Sequence, residues 1–123
     1  MKRFTAILCL TLAVLLASTG MSMSQDFEKG ADAAERGDFA TALREFTLLA
    51  EQGHSKAQNN LGMMYGNGWG VPQDYKTAVK WYTLSAEQGD AAAQTNLGSM
   101  YDNGWGVPQD DETAVKWWTL AAE

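Results

Sequence analysis

The sequence predicts an all-α protein, a solenoid of about three stacked helical hairpins. Three observations carry that prediction: a repeat of period 36, helical spacing of apolar residues within each half-repeat, and Gly- and Asp-marked turns at matching places. Setting residues 55–87 over 91–123 gives 24 identities in 33 positions, including all of NGWGVPQD and TAVKW. The same offset reaches backwards, aligning Thr41, Ala42, Leu43, Arg44, Phe46, Thr47, Leu48 and Ala50 with Thr77, Ala78, Val79, Lys80, Tyr82, Thr83, Leu84 and Ala86. A fixed period of this size marks supersecondary units that bury their apolar faces only against neighbours.

Residues 1–24 read as a secretory signal peptide. Lys2 and Arg3 precede an apolar run from Phe4 to about Ala17, the order of a charged n-region and an h-region. Spanning a bilayer takes roughly 20 apolar residues, and Ser18, Thr19, Gly20, Ser22 and Ser24 interrupt the run too early. Ser22 and Ser24 satisfy the small-residue rule for cleavage before Gln25, with cleavage after Gly20 as the competitor. The expectation is a periplasmic or secreted chain with no stable membrane insertion after cleavage. Cys9, the one cysteine, falls inside the signal, so neither a disulfide framework nor a lipidated N-terminus is expected. Loss of Lys2 and Arg3 moves the formal charge from −6 (9 − 15) to −8 (7 − 15), which argues against nucleic acid or anionic lipid as partner.

Residues 25–54 form a degenerate first hairpin, with helices expected over Phe27–Arg36 and Phe39–Glu51 and only Gly37-Asp38 between them. Residues 55–90 and 91–123 form the two close repeats. Their first helices are expected near Ser55–Tyr65 and Ala91–Tyr101, stopping at Asn67-Gly68 and Asn103-Gly104, because glycine takes the left-handed conformation past a helix end. After a Gly- and Pro-rich turn, Asp74 and Asp110 stand where a carboxylate caps the second helices, Tyr75–Glu87 and Asp111–Glu123.

The pattern A.AQ..LG..Y..G.GV..D...A..W...AA..G resembles the Sel1-like repeat family, relatives of the tetratricopeptide repeats. Gly62, Tyr65, Gly68, Gly70, Val71, Asp74, Ala78, Trp81 and Ala86 carry the resemblance, and the whole set recurs 36 residues later. The resemblance implies a right-handed superhelix whose first helices line a concave surface, acting as an interaction scaffold in bacterial envelope or signalling settings. Some cysteine-rich secreted relatives bind or hydrolyse β-lactams; this chain departs from them in having no cysteine after residue 9.

The faces of the helices follow from where the two close repeats differ. On the first helix, positions 55, 56, 59, 63 and 66 differ and fall within about a 100° arc. Ala57, Leu61, Met64 and Tyr65 lie opposite, as core, and Gly62 and Gly98 lie beside them where a missing Cβ admits the second helix. The variable stripe either faces water and has drifted or presents contacts on the concave surface. From it come the binding candidates Lys56, Asn59 and Met63 in one repeat and Thr95, Ser99 and Asp102 in the next. Trp81, Trp117 and Trp118 are expected in the core. Trp69 and Trp105, in the turns, either pack across adjacent repeats or offer an exposed ring to a ligand.

Nothing in the chain supplies the base, nucleophile and orienting group of an active site, so no enzyme and no cofactor is expected. His54 is a lone histidine at a helix start, no His/Cys set suits a metal, and NGWGVPQD lacks the lysine and strand-to-helix setting of a phosphate loop. Asp110, Asp111 and Glu112 read as a capping cluster. The expected partner is a protein or peptide; the Trp-rich turns leave cell-wall glycan as the alternative. Self-association through the C-terminal Trp117/Trp118 hairpin is a further expectation.

Overall fold

The computed structural model describes residues 23, 24 and 26–123, so the signal expected over residues 1–24 lies outside the described residues except for Met23 and Ser24. Six helices follow one another with no strand among the described residues. They are α1 (26–35), α2 (Phe39–Glu51), α3 (Ser55–Asn67), α4 (Tyr75–Glu87), α5 (Ala91–Asn103) and α6 (Asp111–Ala122). Neighbours in sequence pack on one another, giving three hairpins in a row, an all-α solenoid.

Each boundary has a local cause. Asp38, Asp74, Asp90 and Asp110 accept a hydrogen bond from the backbone N–H three residues on, and His54 Nδ1 does the same for Ala57 at 3.1 Å. His54 is thus a helix cap, and its ring lies stacked on Phe27 with centroids 5.0 Å apart. The first helices of both close repeats run two residues further than their spacing predicts. The reason is the asparagine: Asn67 Nδ2 donates to Met63 O at 2.8 Å and Asn103 Nδ2 to Ser99 O at 2.8 Å, holding the last turn closed. Gly68 and Gly104 then turn left-handed, at φ 70° and 68°, and end the helices.

The core divides by hairpin junction. Ala33, Ala42, Phe46, Leu49, Ala50, Ala57, Leu61 and Met64 fill the first, with Trp81 packed against it. Ala78, Tyr82, Ala86, Ala93, Leu97 and Met100 fill the second, with Trp117 at its margin. The helix approaches that set this spacing occur at Gly62, where a Cβ would stand 2.6 Å from the Tyr82 ring, and at Gly98, where it would run into the Trp118 indole. Trp118 itself is exposed, contrary to expectation. It occupies the position of the buried Tyr82, but no helix among the described residues covers α6 as α5 covers α4.

Hydrogen bonds tie hairpin to hairpin as well. The buried Gln58 side chain donates to Ala50 O at 3.1 Å, and 36 residues on Gln94 donates to Ala86 O at 3.1 Å. Each of these carbonyls, near the end of a second helix, also accepts the N–H of Gly53 or Gly89 at 3.0 Å, so the glutamine from the next hairpin adds a second bond to it.

Candidate functional site

Two pockets occupy equivalent places at successive hairpin junctions. The first, about 270 Å³, lies between Ala31 and Ala34 of α1, Phe39 and Phe46 of α2, Asn60, Met63 and Met64 of α3, and the turn residue Trp69. The second, about 250 Å³, is bounded by Gly66 and Asn67 of α3, Gln73, Tyr75 and Tyr82, Asn96, Ser99 and Met100 of α5, and Trp105. Phe39, Phe46, Asn60, Met63, Met64 and Trp69 become Tyr75, Tyr82, Asn96, Ser99, Met100 and Trp105 on adding 36. Hence one architectural pocket recurs with altered chemistry: the first copy is apolar except for Asn60, whereas in the second hydroxyls and amides replace the phenyl rings and Met63.

The tryptophans build one wall of each pocket. Trp69 stacks on Phe39 with centroids 5.7 Å apart and an 8° tilt, and Trp105 on Tyr75 at 5.3 Å and 7°. Because Phe39 and Tyr75 begin the second helix of the preceding hairpin, the rings pack across adjacent repeats, one of the two readings weighed from the sequence. Both remain 40% and 44% exposed, however, so the packing leaves ring surface in water. Gly70 and Gly106 next to them sit at φ 74° and 73° against the backbone of Phe39 and Tyr75, an approach no side chain permits.

No carboxylate, amine or imidazole lines either pocket. In the second, burial pushes the Tyr82 hydroxyl up to about 12, keeping it a neutral donor and acceptor. Gln73 Nε2 donates to Gly66 O at 2.8 Å and to the Tyr75 hydroxyl at 3.1 Å, fixing the rim. These groups can bind and orient a ligand; they offer no acid–base pair. Among the described residues there is also no cluster of three or more metal-ligating side chains.

The structure divides the eight sequence candidates. Met63 and Trp69 line the first pocket, and Ser99 and Trp105 the second. Lys56 lies elsewhere on the surface, near Met23, Phe27 and His54. Asn59 is buried and does not belong to an open stripe: α5 covers it, and Asn96 Nδ2 donates to its Oδ1 at 3.0 Å. Thr95 is exposed on α5 away from both pockets, its carbonyl accepting from Trp118 Nε1 at 3.2 Å. Asp102 is half-buried outside them, its carbonyl accepting from Gln109 at 2.9 Å. Sequence comparison missed Phe39, Tyr75, Asn60 and Asn96. The two asparagines are identical between repeats and so fell outside the variable stripe; the recurrent aromatic at 39 and 75, three residues before the conserved-in-repeat Ala42 and Ala78, was the available signal.

Stacked hairpins with pockets at equivalent places along a 36-residue period define a helical-repeat protein. The Sel1 repeat model matches residues 55–90 and 91–123, and the chain belongs to that family, whose repeats generally mediate protein–protein interaction. Among solved structures, it is similar to a Sel1 repeat protein from Oxalobacter formigenes, at 38% identity and a TM-score of 0.66 over 67% of this chain. It is also similar to a protective antigen with an SLR fold from uropathogenic Escherichia coli, at 41% identity and a TM-score of 0.77 over 88% of this chain. The matches cover 63% and 24% of those two proteins. No curated protein matches. No helix of the described residues is long and apolar enough to cross a membrane.

Proposed function

We propose that this chain is an exported scaffold of the bacterial cell envelope that grips a protein or peptide segment along the side where α1, α3 and α5 come together. The observation that carries the reading is the pair of pockets: an apolar one under Trp69 suited to an aliphatic or aromatic side chain, and beside it a polar one suited to a hydrogen-bonding side chain. Residues 26–123 carry 7 Lys and Arg against 15 Asp and Glu, so a basic segment around an apolar anchor is the favoured ligand. Export rests on Lys2, Arg3 and the apolar run behind them.

Peptides selected on the purified protein test the groove. Met63→Asp is expected to weaken a selected peptide at least about tenfold, as loss of a buried anchor contact does, while Lys56→Ala leaves it unchanged. Equal binding by the Met63→Asp protein removes the groove from the proposal. Export is tested separately by N-terminal sequencing of the chain recovered from the envelope fraction.

The half-exposed rings of Trp69 and Trp105 support a second reading, in which cell-wall glycan stacks on them. Titration with muropeptide fragments, followed by tryptophan fluorescence, is expected to saturate if that reading holds and to stay flat if it does not. Exposed Val115 and Trp118 on α6 support docking of a partner's or second copy's helix there; Trp118→Ala is the variant that would abolish it.

A further inference from the structure

The outer face of the second helices carries a pattern that neither the core nor the pockets use. At the 36-residue period, α2, α4 and α6 each show an exposed base (Arg44, Lys80, Lys116) and an exposed leucine (Leu48, Leu84, Leu120), and an exposed acid follows: Glu51 and Glu87 at the ends of α2 and α4, and Glu123 one residue past the end of α6. On α2 and α4 the spacing i, i+4, i+7 places the three within about a 60° arc at 100° per residue, and on α6 Lys116 and Leu120 share the same arc with Glu123 just beyond the helix end. The leucines stand 52%, 40% and 47% exposed, so none is held there by core packing. Because the repeat carries each hairpin onto the next, α2, α4 and α6 run in the same direction. Their side chains line up as three parallel rows across the solenoid, basic, leucine and acidic.

Few internal contacts neutralise these rows. Arg44 Nε lies 3.7 Å from Glu45, and Lys80 Nζ sits 5.1 Å from the Trp81 ring centre. Among the described residues no ion pair reaches Glu51, Glu87 or Glu123. A surface ordered base, leucine, acid is self-complementary under one symmetry operation. A two-fold axis parallel to the rows lays the basic row of one copy on the acidic row of the other and leucine on leucine. A two-fold axis along the helices would lay base on base and acid on acid, which like-charge repulsion disfavours.

We propose that the outer face of α2, α4 and α6 pairs with the same face of a second copy, helices antiparallel, with the leucine row in the centre and two charge-matched rows flanking it. Helices of 13, 13 and 12 residues are roughly 20 Å long, and the three side by side give a patch on the order of 500 Å² per copy, below the roughly 800 Å² of a standard interface. The pair is therefore reversible and weakens as salt screens the outer rows.

Sedimentation velocity over a micromolar concentration series of the purified chain tests this. The unaltered protein is expected to shift from monomer to dimer, and Leu84→Lys to raise the dissociation constant at least about tenfold with helical circular dichroism unchanged. The triple variants R44E/K80E/K116E and E51K/E87K/E123K should each be monomeric, and mixing them should restore a heterodimer, since reversed rows again meet opposite charge. A chain monomeric throughout the series overturns the proposal, as does a dimer indifferent to Leu84→Lys or a mixture that fails to associate. A dimer lost with Trp118→Ala but not with Leu84→Lys assigns the contact to the end of the stack and overturns it equally.

Discussion

Two glycines on α3 separate close packing from helix propensity. Both Gly62 and Gly66 have helical backbones and lie outside the set with positive φ, so alanine is conformationally admissible at each and gains about 0.5–1 kcal/mol in propensity. At Gly66 the added Cβ would meet Ala78 Cβ and the Tyr82 hydroxyl at 3.7 Å, ordinary contact. At Gly62 it would stand 2.6 and 2.7 Å from Tyr82 Cδ1 and Cε1 and 3.2 Å from Cγ. Those atoms lie near the root of a buried ring that cannot swing aside, and overpacking of this kind costs about 1–3 kcal/mol. Gly66→Ala is therefore expected to stabilise by up to about 1 kcal/mol and Gly62→Ala to destabilise by about 1–2 kcal/mol net. The two differ by about 1.5–3 kcal/mol, and at about 4–8 °C per kcal/mol for a domain of this size they should melt roughly 6–24 °C apart. Thermal unfolding followed at 222 nm reads the difference. Equal stabilisation by both substitutions would refute the close approach of α4 to α3.

Other consequences follow the same geometry. Asp90→Ala removes the 2.8 Å acceptor for the Ala93 N–H and should cost about 1 kcal/mol, seen as a lower urea midpoint with an unchanged slope. Asn59→Ala leaves the Asn96 amide without its acceptor and should cost about 1 kcal/mol; a double-mutant cycle with Asn96→Ala shows whether the loss belongs to the pair. Burial raises Tyr82 from 10.0 to about 12, so the native state keeps a proton that the unfolded chain releases in that interval. Stability should fall from pH 10 towards 12, by a slope of at most one proton, and Tyr82→Phe should flatten that limb in alkaline melts. Hydrogen bonds from Thr41, Thr77 and Thr113, side chain first and backbone second, hold Asp38, Asp74 and Asp110 below the ordinary carboxylate value. Their stabilisation is present above the unfolded value of about 3.8 and lost as pH falls through the lower native one. Asp→Asn at all three should shrink the acid limb of a pH titration of the melting temperature.

How far the sequence could be read depended on what a helix wheel encodes. Caps, the stop at Gly68 and Gly104, the buried set Ala57, Leu61 and Met64, and the close approach at Gly62 all follow from period and residue chemistry, and the structure agrees with each. A wheel gives an angle, however, and says nothing of which neighbouring helix will cover it. Asn59 and Thr95 share one angle, yet α5 covers the first while the second stays open. The wheel likewise placed Trp118 inside because Tyr82 belongs there. The pockets were out of reach for a different reason. Each is assembled from two hairpins, and in the short first hairpin Gly30, not a residue 36 before Gly62, meets the Phe46 ring. A single offset cannot bring Ala31 and Ala34 to the wall they share with Met63.

Gln58 and Gln94 bear on how such a chain can change in length. Each amide finishes a helix end that belongs to the unit before it, and both reach that end by the same bond over the same distance. Excising residues 55–90 as a block would join His54 to Ala91 and bring Gln94 to the place Gln58 had held opposite Ala50. The seams therefore fall at whole units, and gain or loss of a full period is the change that returns each amide to the carbonyl it bonds.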